Sequence, residues 1–103
     1  MTEEDIQTVI TGFKRSAKIS KMAGFTGVQI HAAHGYLISQ FLSPYTNKRN
    51  DQWGGSIENR SRLLIRIVQE IREVTGPEFP ISVKLNSSDF QKGGFTEEES
   101  LRV

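Results

Sequence analysis

The stretch "GVQIHAAHGY", residues 27–36, decides how this chain is read. Its first part alternates, with Val28 and Ile30 on one side and Gln29 and His31 on the other. That two-residue period is the mark of a β-strand, here residues 27–31. The alternation then stops. Both histidines of the chain, His31 and His34, fall at the strand's carboxyl end, and Tyr36 follows two residues later.

Working outward toward the N-terminus, Ile6, Val9, Ile10, Phe13 and Ala17 recur at helical spacing. Thr2 is positioned as the N-cap, and Glu3, Glu4 and Asp5 lie at the positive end of the helix dipole. Lys18 and Lys21 lie near the other end, and Gly24 is placed to stop the helix.

Beyond the histidines, the segment from Ala32 to Ser56 has little regular pattern. "GYLISQFL" is expected to give a helical turn or two, and "SPYTNKRNDQWGGS" is rich in turn formers. The "WGGS" turn reads as architectural, with Gly54 and Gly55 supplying positive φ before a helix cap at Ser56. Leu64, Ile67, Val68, Ile71 and Val74 form the apolar stripe of the helix that follows, and Gly76–Pro77 ends it. Arg60 and Arg62 lie in its first turns, where the dipole does not favour a cation. Their placement suggests a loop carbonyl or carboxylate as partner, with a solvated face the expectation for Arg62.

A second alternating run, "ISVKLN" at 81–86, puts Ile81, Val83 and Leu85 on one face and Ser82, Lys84 and Asn86 on the other. The loop "SSDFQKGGF" leads to Thr96, which with Glu99 has capping-box spacing for a third helix that Val103 cuts short. Helix, strand, helix, strand, helix implies parallel strands with right-handed crossovers. Two strands are too few for a parallel sheet, which needs cover on both faces. The expectation is a slice of a larger α/β protein.

Composition narrows the function classes. The chain has 103 residues, a net charge of +1 and no cysteine. Near-neutral charge gives no pull toward nucleic acid or a membrane surface, and no apolar run approaches the ~20 residues of a membrane span. Without cysteine the chain forms no disulfide, iron–sulfur or thiolate–zinc site of its own. This fits a reducing compartment, and a cytoplasmic location is expected. The acidic, amphipathic N-terminus is not a signal peptide.

Ligands in parallel α/β folds bind beyond the carboxyl ends of the strands. His31, His34, Lys84 and Asn86 all lie at such ends, and the segment after His34 far exceeds the usual ~2–6 residues of a βα loop. His-x-x-His also suits a metal, but no third ligand follows at matching spacing, so none is expected. Two hydrogen-bonded core histidines are the plainer alternative. Lys84 interrupts an apolar strand, and a buried lysine needs an anionic or acceptor partner. An ion pair with Asp89 or Glu58 and contact with an electron-rich cofactor are both open.

The run "GFTGVQIHAAHGYLISQFLSPYTNKRNDQWGGSIENRSRLL" resembles the Old Yellow Enzyme family of FMN-dependent ene-reductases, the NADH:flavin oxidoreductases. The likeness extends through "FPISVKLNSSDFQKGGFTEEES" and rests on many short matches at family spacing. It implies a (β/α)8 TIM barrel with FMN at the carboxyl rim of its strands. Residues 1–103 would then be a fragment of that single domain, a partial barrel of about two βα units with flanking helices. It implies NADH or NADPH as electron donor and an α,β-unsaturated carbonyl compound as small-molecule substrate. In that setting His31 and His34 would bind the substrate oxygen, His31 would also border the cofactor, and Tyr36 would be the general acid. Lys84 would stand where many relatives carry arginine, near the flavin's N1 and O2 edge. Lysine keeps that charge and loses the planar fork. The resemblance does not imply an iron–sulfur domain from these residues. The rival reading is a non-catalytic remnant or a binding module built from a partial barrel. Lacking the rest of the barrel and its phosphate site, the isolated segment is expected to fold weakly and to be inactive.

Overall fold

The computed structural model describes residues 1–86. The third helix expected at Thr96, its capping box with Glu99, the loop before it and Asp89 lie outside the described residues. The element order is α1 (Glu3–Met22), β1 (Val28–Ala32), α2 (Leu37–Leu42), α3 (Ile57–Arg60), α4 (Arg62–Thr75) and β2 (Ile81–Leu85). β1 and β2 pair as a two-stranded parallel sheet, so the chain is α/β. The described residues divide into two compact units, one of Met1–Ile30 with Ile65–Ser82 and one of His31–Leu64 with Val83–Asn86.

The first unit follows its apolar periodicity. The Thr2 side chain accepts from Asp5 N–H while Asp5 accepts from Thr2 N–H, a reciprocal cap that satisfies two donors at the start of α1. Ile6, Ile10 and Ala17 of α1 are buried, as are Ile67 and Ile71 of α4. Polar contacts then tie the helices at their edges. Lys14 Nζ lies 3.3 Å from Glu70 Oε2. Lys21 Nζ donates to the Thr75 carbonyl at 2.5 Å, satisfying a carbonyl that the end of α4 leaves without an intrahelical partner. One Arg72 guanidinium nitrogen donates to the carbonyls of Gly76 and Phe79 and shapes the turn into β2.

The second unit holds α2 and α3. The expected single helix after Ser56 is interrupted at Ser61, whose N–H bonds back to Ile57 O in the turn that separates α3 from α4. Ser56 caps α3 through Asn59 N–H, as expected. The core here is Ala32, Ala33, Ile38, Phe41, Leu42, Trp53, Ile57, Leu63 and Leu64. Leu63 is buried beside Leu64; it lies four residues before Ile67 and so shares the stripe's helical spacing, although the stripe as read from the sequence omits it.

The segment 43–56 is a wired loop. Asn47, 8% exposed, donates from one amide to the carbonyls of Phe41 and Trp53, and its oxygen accepts from Arg49 N–H. Arg49 pairs with Asp51 at 2.7 Å, and Asp51 also accepts from Trp53 N–H. Trp53 is 1% exposed beneath this network. Gly55 has the expected positive φ of 96°, but Gly54 does not need one. Gly54 is needed for space: a Cβ there would lie 2.6 Å from the Arg49 carbonyl oxygen and 2.7 Å from Asn47 Oδ1.

Both arginines after the turn find loop carbonyls. Arg60 is buried and donates to Leu42 O at 2.6 Å and Gly55 O at 3.1 Å. Arg62 does not point from a solvated face; it is half-buried and donates to Gln52 O and Asn59 Oδ1. The helix dipole's disfavour is outweighed because a charged donor bonded to a carbonyl is stronger than a neutral one.

Candidate active site

β1 is half covered, with Ile30 and Ala32 buried and Gln29 and His31 exposed. The chain leaves β1 through Ala33, which is buried, and then turns sharply. His34 has φ 58° and Gly35 has φ 77°, two successive left-handed residues. Glycine takes that conformation freely, but a Cβ makes it costly for His34. The turn delivers Tyr36 to the N-cap position of α2, in extended backbone. Gln40 ties down the turn, its N–H bonding Tyr36 O and its side chain donating to Gly35 O, each at 2.8 Å.

The turn gathers three rings. The His31 centroid is 5.8 Å from that of His34 and 4.8 Å from that of Tyr36, both pairs tilted. All three residues are exposed, Tyr36 at 62%. Within the described residues neither histidine belongs to the buried core. Each ring offers N–H or O–H donors to whatever occupies this rim.

β2 supplies the neighbouring edge. Val28 N–H donates to Pro80 O at 3.0 Å. In a parallel pair that bond sets Val28 opposite Ile81, and continuing the register sets His31 level with Lys84 on the same face. Lys84 is exposed among the described residues, contrary to the expectation of a buried lysine, and Asp89, one of its two candidate ion-pair partners, lies outside them. Val83, on the opposite face of β2, is 38% exposed, so the apolar face of this strand is only partly covered by the described residues. One step past the strand, Asn86 Oδ1 accepts from His34 N–H at 3.1 Å. Asn86 Nδ2 and Gly35 N–H each lie 3.4 Å from Ser39 Oγ.

The sequence-derived rim is thus assembled: His31, His34 and Tyr36 come together, and Lys84 lies at the adjoining strand end. Asn86 was legible as a rim residue but not as a partner of His34. Ser39 and Gln40 were missed; a serine buried on the otherwise apolar face of α2 was the available signal. Among the described residues no group of three or more His, Cys, Asp or Glu is gathered as a metal site. No described helix is long and apolar enough to cross a membrane.

The chain matches the NADH:flavin oxidoreductase / NADH oxidase family over residues 1–102. It is 46% identical over 102 residues to the NADH-dependent flavin oxidoreductase of Aspergillus parasiticus, matching 99% of this chain and 23% of that protein. It is 43% identical over 104 residues to the NADPH dehydrogenase of Clostridium acetobutylicum, matching 100% of this chain and 31% of that protein. Among solved structures, 2-naphthoyl-CoA reductase in complex with 2-naphthoyl-CoA superposes with a TM-score of 0.97 at 46% identity, over 99% of this chain and 16% of that one. Morphinone reductase in complex with tetrahydroNAD superposes with a TM-score of 0.85 at 36% identity, over 98% of this chain and 28% of that one. The chain therefore spans less than a third of the length of these relatives. By a match across almost every residue, the chain belongs to the NADH:flavin oxidoreductase / NADH oxidase family.

Proposed function

We propose that this chain is a segment of an FMN-binding (β/α)8 barrel, contributing two adjacent strands and their flanking helices to an ene-reductase. The observation that carries the reading is the cluster of His31, His34 and Tyr36 rings at the carboxyl end of β1, with Lys84 level with His31 on the next strand. Family membership supports the FMN and NAD(P)H pairing.

The donor set fits the flavin's chemistry. An exposed lysine beside an exposed imidazole, on one sheet face, suits the electron-rich pyrimidine edge of an isoalloxazine, where negative charge gathers on reduction. Lys84 and His31 are the residues that would border it. When bound, FMN supplies hydride after reduction by NADH or NADPH.

The remaining chemistry belongs to this chain's side chains. As the β-carbon of an α,β-unsaturated carbonyl compound accepts hydride, negative charge develops on the carbonyl oxygen. His31 and His34 donate hydrogen bonds to that oxygen, stabilising the enolate-like transition state more than the ground state. Tyr36 gives its phenolic proton to the α-carbon and is reprotonated from solvent. Phenols are weak acids in general, which suits Tyr36 to the role of proton donor.

Stopped-flow measurement of the two half-reactions in the full-length flavoprotein tests the roles. His31→Ala and His34→Ala should each slow enone reduction by roughly 10²-fold and weaken phenolic-ligand binding, with flavin reduction by NAD(P)H affected less. Tyr36→Phe should spare flavin reduction and ligand binding while slowing substrates that need α-carbon protonation. Wild-type enone reduction in His34→Ala and Tyr36→Phe would overturn the reading.

A further inference from the structure

We infer that Asn86 is a positioning residue, whose side-chain oxygen holds His34 in its left-handed backbone conformation and thereby aims the His34 ring at the substrate oxygen. The inference rests on the ene-reductase reading of the site.

His34 is the one non-glycine residue with positive φ among the described residues, at 58°. Such a conformation persists only where the surroundings over-determine it. Packing does not hold His34, because its side chain is exposed. Hydrogen bonds to the turn do. Asn86 Oδ1 accepts the His34 N–H at 3.1 Å, Gly35 N–H reaches Ser39 Oγ at 3.4 Å, and Asn86 Nδ2 reaches the same hydroxyl. Ser39 is buried on α2, so Asn86 links the turn to a buried side chain of that helix. Flipping His34 to ordinary backbone would redirect its Cα–Cβ bond and separate its ring from His31, now 5.8 Å away. The end of β2 therefore supplies two things two residues apart: a cation at Lys84 and, at Asn86, an acceptor that fixes the catalytic turn of β1.

The test uses the full-length flavoprotein with a simple cyclic enone as probe. Asn86→Leu keeps the side-chain volume and removes the acceptor. It should slow the enone half-reaction roughly 10- to 100-fold while leaving flavin reduction by NAD(P)H within about twofold, and should speed amide exchange at His34. Asn86→Asp retains an acceptor oxygen and should restore most of the enone rate. In a His34→Gly background, where the backbone needs no holding and the ring is gone, Asn86→Leu should add almost no further loss. Equal slowing of both half-reactions, equal loss with or without His34, or a wild-type enone rate with His34 slow to exchange would each overturn the positioning role. If His34→Gly alone leaves enone reduction untouched, the ene-reductase reading fails first. If His34→Gly slows it and Asn86→Leu does not, that reading stands and only the role of Asn86 falls.

Discussion

The helices α1 and α4 and the loop 43–56 are held together in opposite ways. Along α1 and α4 the buried side chains are mainly apolar, Ile6, Ile10 and Ala17 on one helix and Ile67 and Ile71 on the other, the buried Thr75 hydroxyl donates within its own helix to Ile71 O, and charged groups serve the edges. Around the loop, buried or half-buried polar side chains carry the structure: Asn47, Arg60 and Arg62 all bond backbone carbonyls. The reason is the backbone. A helix satisfies its own N–H and C=O groups, whereas an irregular segment folded inward must find partners for each. The loop recruits side chains for that purpose, and its shape depends on the specific residues in a way that the helices' shape does not.

The comparison is tested most strongly at Ile67, which is fully buried. Ile67→Ala should cost about 2–5 kcal/mol in urea unfolding of the full-length protein, whereas Ile67→Leu should cost less than about 1.5 kcal/mol. Shape-compatible oiliness is what that site requires. A similar cost for both variants would mean that α4 is as residue-specific as the loop.

Asn47 should behave differently. Asn47→Leu conserves volume but leaves the carbonyls of Phe41 and Trp53 without their amide donor. A cost of about 2–3 kcal/mol is expected, with amide exchange rising across 43–56 and not along α1. A loss below about 0.5 kcal/mol, within the range of an ordinary surface change, would end the claim that polar bonds hold the loop.

The smallest effects belong to the charge pairs at the two surfaces. The Arg49 guanidinium bonded to Asp51 holds that carboxyl below its ordinary value, and Lys14 does the same for Glu70. A carboxylate with a depressed folded pKa adds stability that is present above its ordinary, unfolded pKa. That stability is lost as pH falls through the lowered folded value. Asp51→Asn and Glu70→Gln should each flatten the acid limb of the stability–pH profile slightly, since exposed pairs are screened by solvent. Urea unfolding repeated across the acid pH range reads the effect. A larger flattening from Asp51→Asn than from Glu70→Gln would sharpen the contrast, tying even the loop's exposed charges to its fold.

Several features were legible in the residues because they rest on period and local chemistry. The alternation of 27–31 and 81–86 gave both strands to within a residue, the spacing of Ile6, Ile10 and Ala17 gave α1, and Thr2 and Ser56 were readable as caps. His31, His34 and Tyr36 were legible as a group because a strand end brings nearby residues to one rim whatever the rest of the fold does. Other features depend on partners distant in sequence. The break at Ser61, the burial of Trp53 in a polar stretch and the carbonyl partners of Arg62 arise only once the loop is folded against α3. The exposure of Lys84 follows from what covers β2, which an alternating pattern does not specify. The left-handed His34 belongs to the same class. Its φ is stabilised by an acceptor on Asn86, far along the chain, and only pairing β1 with β2 brings the two together. Sequence set the elements and the kinds of chemistry at their ends, because propensity and period act locally. Tertiary structure decided how the side chains at the rim are held, because that depends on hydrogen bonds between residues that local pattern does not connect.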